Sequence, residues 1–181
     1  MAIADKKVAF LLTRGVEEVE LTGPLSAVRG AGAQAVIVSP WDDGPLTALN
    51  SDWHKGEDFE VDVPVIAANA EDYDMLVMPG GTLNVDNLRT SAPAVEFVKA
   101  FFEAGKPVAA ICHAPWMLAE AKLAQGRTLT SYHSIKQDLL NAGANWVDQE
   151  LVRDGNLITS RSPDDLEVFD KAIVQELESL G

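Results

Sequence analysis

The chain has 181 residues, 47% apolar and 23% charged, which is enough material for one ordinary globular domain (1–181), and two would be cramped. A formal net charge of −14 without any lysine or arginine cluster argues against nucleic acid as a partner. A single cysteine excludes an internal disulfide and a thiolate-rich metal site, and the apolar run Val8–Leu12 is too short for a signal-peptide core or a membrane span, so the cytoplasm is the expected location.

In chain order, Val8–Leu12 reads as a buried strand and Glu17–Arg29 as a helix that Pro24 should kink or divide. Gln34–Ser39 is the next strand. The stretch from Trp41 to Pro64 breaks the alternation and reads as a hairpin or loop insertion, with Trp53–Val63 partly extended. Asp74–Met78 is a third strand and ends in Pro79–Gly80–Gly81. Ser91–Ala104 carries Val95, Val98 and Phe102 at helical spacing, with Gly105 as its stop. Val108–Ile111 is a strand that runs into Cys112 and a helix-like segment from His113 to Ala124. Thr128–Ser131 and Leu157–Ser160 are further strands. Ser162–Pro163–Asp164–Asp165 opens a last helix whose stripe is Leu166, Phe169, Ile173, Leu177 and Leu180. Strand–helix alternation with continuous apolar strands predicts an α/β fold, a flavodoxin-like, doubly wound, mostly parallel sheet sandwiched by helices, with a small β-hairpin insertion.

Ligands of such sheets gather at the carboxyl ends of the strands. Glu17 and Glu18, Gly80 and Gly81, and Cys112 and His113 all stand at such ends. Cys112, between a strand and a helix, occupies the place of a strained nucleophile elbow, where the helix start favours the thiolate that attacks carbon. The plain alternative is a small buried hydrophobe. His113 either orients a partner and accepts a proton or only begins a helix. Gly80–Gly81 is either a turn or a place where backbone amides approach a substrate oxygen. Glu17, Glu18 and Glu20 either complement a helix dipole or supply one carboxyl to the thiol, and residue chemistry alone does not choose among the three. His54 and His133 show no metal-ligand spacing, and Pro79–Gly80–Gly81 is no phosphate loop, so neither metal nor organic cofactor is expected.

The blocks "VAFLLTRGVEEVEL", "DYDMLVMPGG", "GKPVAAICHAPWMLAEA", "GRTLTSYHSIKQDLLNAGANWVD" and "DGNLITSRSPDDL" follow one another over almost the whole length. In them the chain resembles the PfpI family, within the Parkinson-protein deglycase superfamily with its class I glutamine amidotransferase-like fold. The resemblance implies Cys112 as nucleophile with His113 beside it, and Glu17 as the carboxyl that bonds the thiol and shuttles protons. It implies oxyanion amides at Gly81 and His113, and an acid, Asp86, reaching a neighbouring subunit's site to complete a Cys–His–acid triad. Ala114 stands where many relatives have Gly, a methyl expected to narrow the pocket. His133 stands where many have Pro and adds an imidazole near the site.

Such proteins are similar to general stress proteins. The resemblance implies a cofactor-independent stress-response enzyme acting on α-oxoaldehydes or their adducts, a glyoxalase or protein deglycase working through a Cys112 hemithioacetal. Its partners would be a small aldehyde or a glycated amine or thiol, and further copies of itself in a homodimer or higher homo-oligomer. The rival readings are an intracellular cysteine peptidase using the same thiol, and a non-enzymatic redox sensor or chaperone-like protein acting through Cys112 oxidation.

Overall fold

The computed structural model describes residues 3–41 and 43–180. Its centre is a seven-stranded sheet in the order β10–β11–β7–β6–β1–β2–β5. The strands are β1 (Lys7–Leu11), β2 (Gln34–Ser39), β5 (Val63–Pro64), β6 (Met75–Met78), β7 (Val108–Ile111), β10 (Val152–Asp154) and β11 (Leu157–Ser160). Every neighbouring pair is parallel except β10 with β11, an antiparallel hairpin at one edge. The flavodoxin-like, mostly parallel expectation therefore holds.

Alternate residues of each strand serve opposite faces. Val8, Phe10, Met75, Val77, Ala109 and Ile111 belong to one core, under α1 (Glu18–Gly30) and α6 (Leu166–Ser179). Ala9, Leu11, Leu76, Met78, Val108 and Ala110 belong to the other, under α3 (Ala92–Glu103) and α4 (Trp116–Glu120). Because both faces are covered, the central strands are apolar without interruption. The ends of β1, β6 and β7 lie side by side, so the loops that follow them are brought together by the sheet.

The Trp41–Pro64 insertion is a hairpin, β3 (Leu46–Asn50) with β4 (His54–Phe59), followed by the short edge strand β5. It is bolted to the loop between β1 and α1: Gly15 N donates to Thr47 O, Leu49 N donates to Val16 O, and Glu17 bridges Leu49. A pair β8 (Thr128–Leu129) and β9 (Asn145–Trp146), α2 (Thr82–Leu88) and α5 (Lys136–Asn141) complete the elements.

Two expectations are corrected. Pro24 does not divide α1, which runs unbroken over it. Only its own missing N–H is lost, and Gly23 before it has no Cβ to crowd the ring. The segment after Cys112 is not a helix to Ala124. Residues 112–115 form tight turns, with Ala114 N on Ile111 O and Trp116 N on His113 O, and α4 ends before Lys122, whose φ is +59°.

Candidate active site

Cys112 follows β7 with φ of +63°, a left-handed conformation that a non-glycine residue holds only when its surroundings impose it. They do so here. Cys112 N donates to Ser160 O at 3.1 Å, and Cys112 O accepts from Tyr132 N at 2.8 Å. Gly80 is needed beside it, since a Cβ there would stand 2.6 Å from Cys112 Cβ and would collide with Glu20 Oε2. The strained elbow read from the sequence is therefore present, and the backbone N–H groups of Gly81 and His113 stand beside the sulfur and favour its charged form. An oxygen on a carbon attacked by sulfur would meet the same two donors.

Three carboxyls start α1, and the fold separates them. Glu17, in extended backbone before the helix, accepts from Ser51 N at 2.9 Å. Glu18 accepts from Glu57 N at 2.6 Å, so it too holds the hairpin. Glu20 turns inward and is fully buried. Its Oε2 accepts from Gly80 N at 2.9 Å, Oε1 is buried with no hydrogen-bond partner, and the carboxyl lies beside Cys112 across Gly80. The sequence expectation placed Glu17 there. The geometry gives the place to Glu20, and Glu17 remains on the wall of the cavity. The reason is helical phase: Glu20 lies on the buried stripe of Leu21, Pro24, Leu25 and Val28, whereas Glu17 precedes the helix.

Burial raises the Glu20 carboxyl to about 8, the Gly80 amide only partly opposing it. Glu20 is thus mainly a neutral acid at pH 7. With Gly80 N–H occupying Oε2, the acid proton belongs on Oε1. Burial also pushes the Cys112 thiol well up, followed by the charge of Glu20 when ionised. The expectation of a thiolate favoured by the helix start is corrected on this point: α4 is short and begins only at Trp116, and the elbow is buried. A proton leaving Sγ has an acceptor within reach, since His113 Nδ1 lies 3.2 Å from it.

His113 Nε2 is 3.3 Å from Thr82 Oγ1 and 3.1 Å from Ser134 Oγ. Thr82 in turn donates from Oγ1 to Asp52 Oδ2 at 2.7 Å and from its backbone N to Asp52 Oδ1 at 3.0 Å. The ring stacks on Tyr132 at 4.9 Å. Burial lowers the basicity of His113, Asp52 opposes that fall, and His133 adds to it. Asp52, Thr82 and Ser134 were not singled out in the sequence. Asp52 is on the insertion, where no periodic signal reports what a turn residue faces.

The remaining expectations sort as follows. Asp86, on α2, is ion-paired with Arg89 at 2.9 Å and stands outside the lining of the cavity in its own chain. The methyl of Ala114 is fully buried in the α3/α4 core and does not line the cavity. His133 packs on the far side of Tyr132, 4.4 Å between ring centres. His54 is exposed on β4. Among the described residues no group of three His, Cys, Asp or Glu side chains is placed to hold a metal ion, and no helix is long and apolar enough to cross a membrane.

Sγ, Glu20 and His113 open into a cavity of about 500 Å³ walled by Glu17, Ser51, Asp52, Trp53, Gly81, Thr82, Tyr132, Ser134 and Pro163. Trp53 stands at its mouth, 86% exposed.

A flavodoxin-like sheet with a cysteine on a left-handed elbow, two amides on its sulfur and a buried carboxyl against it defines a class of cysteine-centred α/β proteins. The chain belongs to the DJ-1/PfpI family, whose family model matches residues 6–176. It is 41% identical over 167 residues to the Bacillus subtilis protein named "Putative cysteine protease YraA", covering 92% of this chain and 95% of that one. To an uncharacterized protein of Staphylococcus haemolyticus it is 40% identical over 176 residues, 96% and 99% of the two chains. Among solved structures it superposes on a two-domain Anabaena variabilis protein with DJ-1/ThiJ/PfpI-like and ferritin-like domains, with a TM-score of 0.90 and 36% identity. That match covers 96% of this chain and 48% of the other. Drosophila melanogaster DJ-1beta gives a TM-score of 0.86 at 31% identity, covering 96% and 90%.

Proposed function

We propose that the protein is a cofactor-independent cysteine enzyme acting on small α-oxoaldehydes or their adducts with amines and thiols. The observation that carries the reading is Glu20, a fully buried carboxyl beside Cys112 whose Oε1 has no hydrogen-bond partner and which burial raises to about 8. A carboxylate so placed can move a proton between adjacent carbons of a thiol adduct, a step that peptide hydrolysis does not contain.

With methylglyoxal, His113 Nδ1 takes the thiol proton and sulfur adds to the aldehyde carbon. The carbonyl oxygen, held by the Gly81 and His113 amides, then receives that proton, giving a hemithioacetal. Glu20, as carboxylate, removes the hydrogen on that carbon as a proton and returns it to the neighbouring carbon. The hydroxyl proton of the hemithioacetal passes to the former ketone oxygen, so the ketone becomes an alcohol and the hemithioacetal a thioester. Water cleaves the thioester to lactate and free thiol. A glycated amine would enter at the same step, with the amine released. The cavity of about 500 Å³ has room for methylglyoxal and for larger adducts of it.

Lactate formation from methylglyoxal without glutathione tests the reading. Wild type should turn over and Cys112→Ser should not, both being folded. Lactate from Cys112→Ser, or none from folded wild type, would overturn it.

A second reading, a cysteine peptidase, is favoured by the 3.2 Å Sγ–Nδ1 contact and by the name of the Bacillus relative. It demands that His113→Ala be as damaging as Cys112→Ser in cleavage of a peptide substrate. A homodimer or higher assembly, with Asp86 offered to a neighbour's site, stays a proposal that sedimentation velocity and Asp86→Asn kinetics test.

A further inference from the structure

The imidazole of His113 has hydroxyls on one side and a thiol on the other, and a hydroxyl can donate or accept. Which nitrogen carries the proton therefore depends on something that commits one hydroxyl. Thr82 is committed. Its Oγ1 lies 2.7 Å from Asp52 Oδ2, and a carboxylate only accepts, so the Thr82 proton is spent on Asp52. Toward His113 Nε2, 3.3 Å away, Thr82 then presents lone pairs alone. A bare Nε2 would face them unfavourably, whereas an N–H there is satisfied. Ser134 Oγ, at 3.1 Å, accepts from the same N–H. In the neutral ring, Nδ1 is then bare and accepts from the Cys112 thiol at 3.2 Å.

We infer that Asp52, supplied by the hairpin of the same chain, is a positioning residue that sets the His113 tautomer through the Thr82 hydroxyl and so makes Nδ1 the acceptor of the Cys112 proton.

The hairpin is built to hold it there. Ser51 and Asp52 have φ of +55° and +62°, conformations non-glycine residues rarely hold, and both are tied to other elements. Ser51 N donates to Glu17, and Asp52 grips both the N–H and the hydroxyl of Thr82. Once sulfur has passed its proton to Nδ1, the ring is an imidazolium whose Nε2 proton points along Thr82 to a carboxylate. The other titratable groups that act on the ring or on the carboxyls beside it are His133, Glu17, Glu18 and Glu20. The inference requires Cys112 to be a nucleophile with His113 as its acceptor, but no particular substrate, so it stands or falls apart from the aldehyde reading.

The test is nitrogen-15 NMR of the His113 ring together with the rate of Cys112 alkylation by iodoacetamide, neither of which needs turnover. Wild type should show the neutral ring protonated at Nε2. In Asp52→Asn the amide can donate to Thr82, freeing its proton for Nε2, so the ring should shift to the Nδ1–H form. Alkylation at pH 7 should slow about tenfold or more. Thr82→Val should slow alkylation similarly, and Thr82→Ser, which keeps the hydroxyl, should restore it to within about twofold. The ring tautomer separates relay from mere anchoring of the hairpin, because a lost anchor alone would not move the proton between the His113 nitrogens, and the Thr82 pair stands even if Asp52→Asn folds poorly. A wild-type ring protonated at Nδ1 would overturn the inference, as would Thr82→Val alkylating as fast as Thr82→Ser.

Discussion

The elbow at Cys112 and the turn at Ser51–Asp52 both hold non-glycine residues in left-handed backbone, but by different means. The elbow is buried among parallel strands, with Cys112 6% exposed and its backbone bonded to β11 and to Tyr132. The hairpin turn stands at the rim beside Trp53, held by side-chain carboxylates: Glu17 and Glu18 on one side, Asp52 reaching across to Thr82 on the other. Sheet topology thus places Cys112, and an insertion held on by carboxylates places Asp52 behind His113 through Thr82. Damage to the elbow should remove chemistry outright. Damage to the hairpin should retune it.

The largest expected effect is at the elbow. Cys112→Ser should reduce methylglyoxal turnover at least about a thousandfold while the melting temperature moves little. Gly80→Ala comes next, because its Cβ would push Cys112 and Glu20 apart. It should lower turnover by about a hundredfold and cost stability by about 1–3 kcal/mol, read from turnover and urea unfolding.

Glu20 also writes a pH signature. Its folded value, about 8, lies above its ordinary 4.5, so folding favours the protonated carboxyl. The stability this gives is full below about 4.5 and is lost as pH rises through about 8. Melting temperatures of wild type should therefore fall, relative to Glu20→Gln, between pH 5 and 9. Turnover should move the opposite way, kcat/KM rising through about pH 8 as the base ionises. A flat rate profile would separate Glu20 from the proton transfer.

The smallest expected effect lies away from both regions. Asp170 on α6 faces Gly23 of α1, its Oδ1 buried without a partner, and burial raises it to about 6 from its ordinary 3.8. Its neutral form supports the fold below about 3.8, and that support is lost as pH rises through about 6. Asp170→Asn should gain about 1 kcal/mol over wild type at pH 8, since solvent reaches part of the carboxyl, and nothing at pH 3.5.

Much of the elbow was legible in the chain itself. Val108–Ile111 is continuous and apolar, Cys112 is the sole cysteine and follows it directly, and Gly80–Gly81 ends the neighbouring strand. The choice of carboxyl was legible too, but from the wrong signal. The resemblance pointed to Glu17, while the stripe of Leu21, Leu25 and Val28 puts position 20 on the buried face. Asp52 was not legible, because its role depends on a hairpin folding over the end of β1 and meeting Thr82, thirty residues on, through a side chain. The raised thiol was missed for a related reason. A helix start is visible in sequence, whereas the burial of the thiol beside it is not.

Glu20 and Glu17 in parallel give the most direct test of the central claim, that a buried carboxyl on α1 works with Cys112 on a small aldehyde. Glutathione-free lactate formation from methylglyoxal should be measured for wild type, Glu20→Gln and Glu17→Gln. The account predicts turnover by wild type, a loss of about a hundredfold or more for Glu20→Gln, and a change within about threefold for Glu17→Gln. An inactive Glu17→Gln beside an active Glu20→Gln would contradict it.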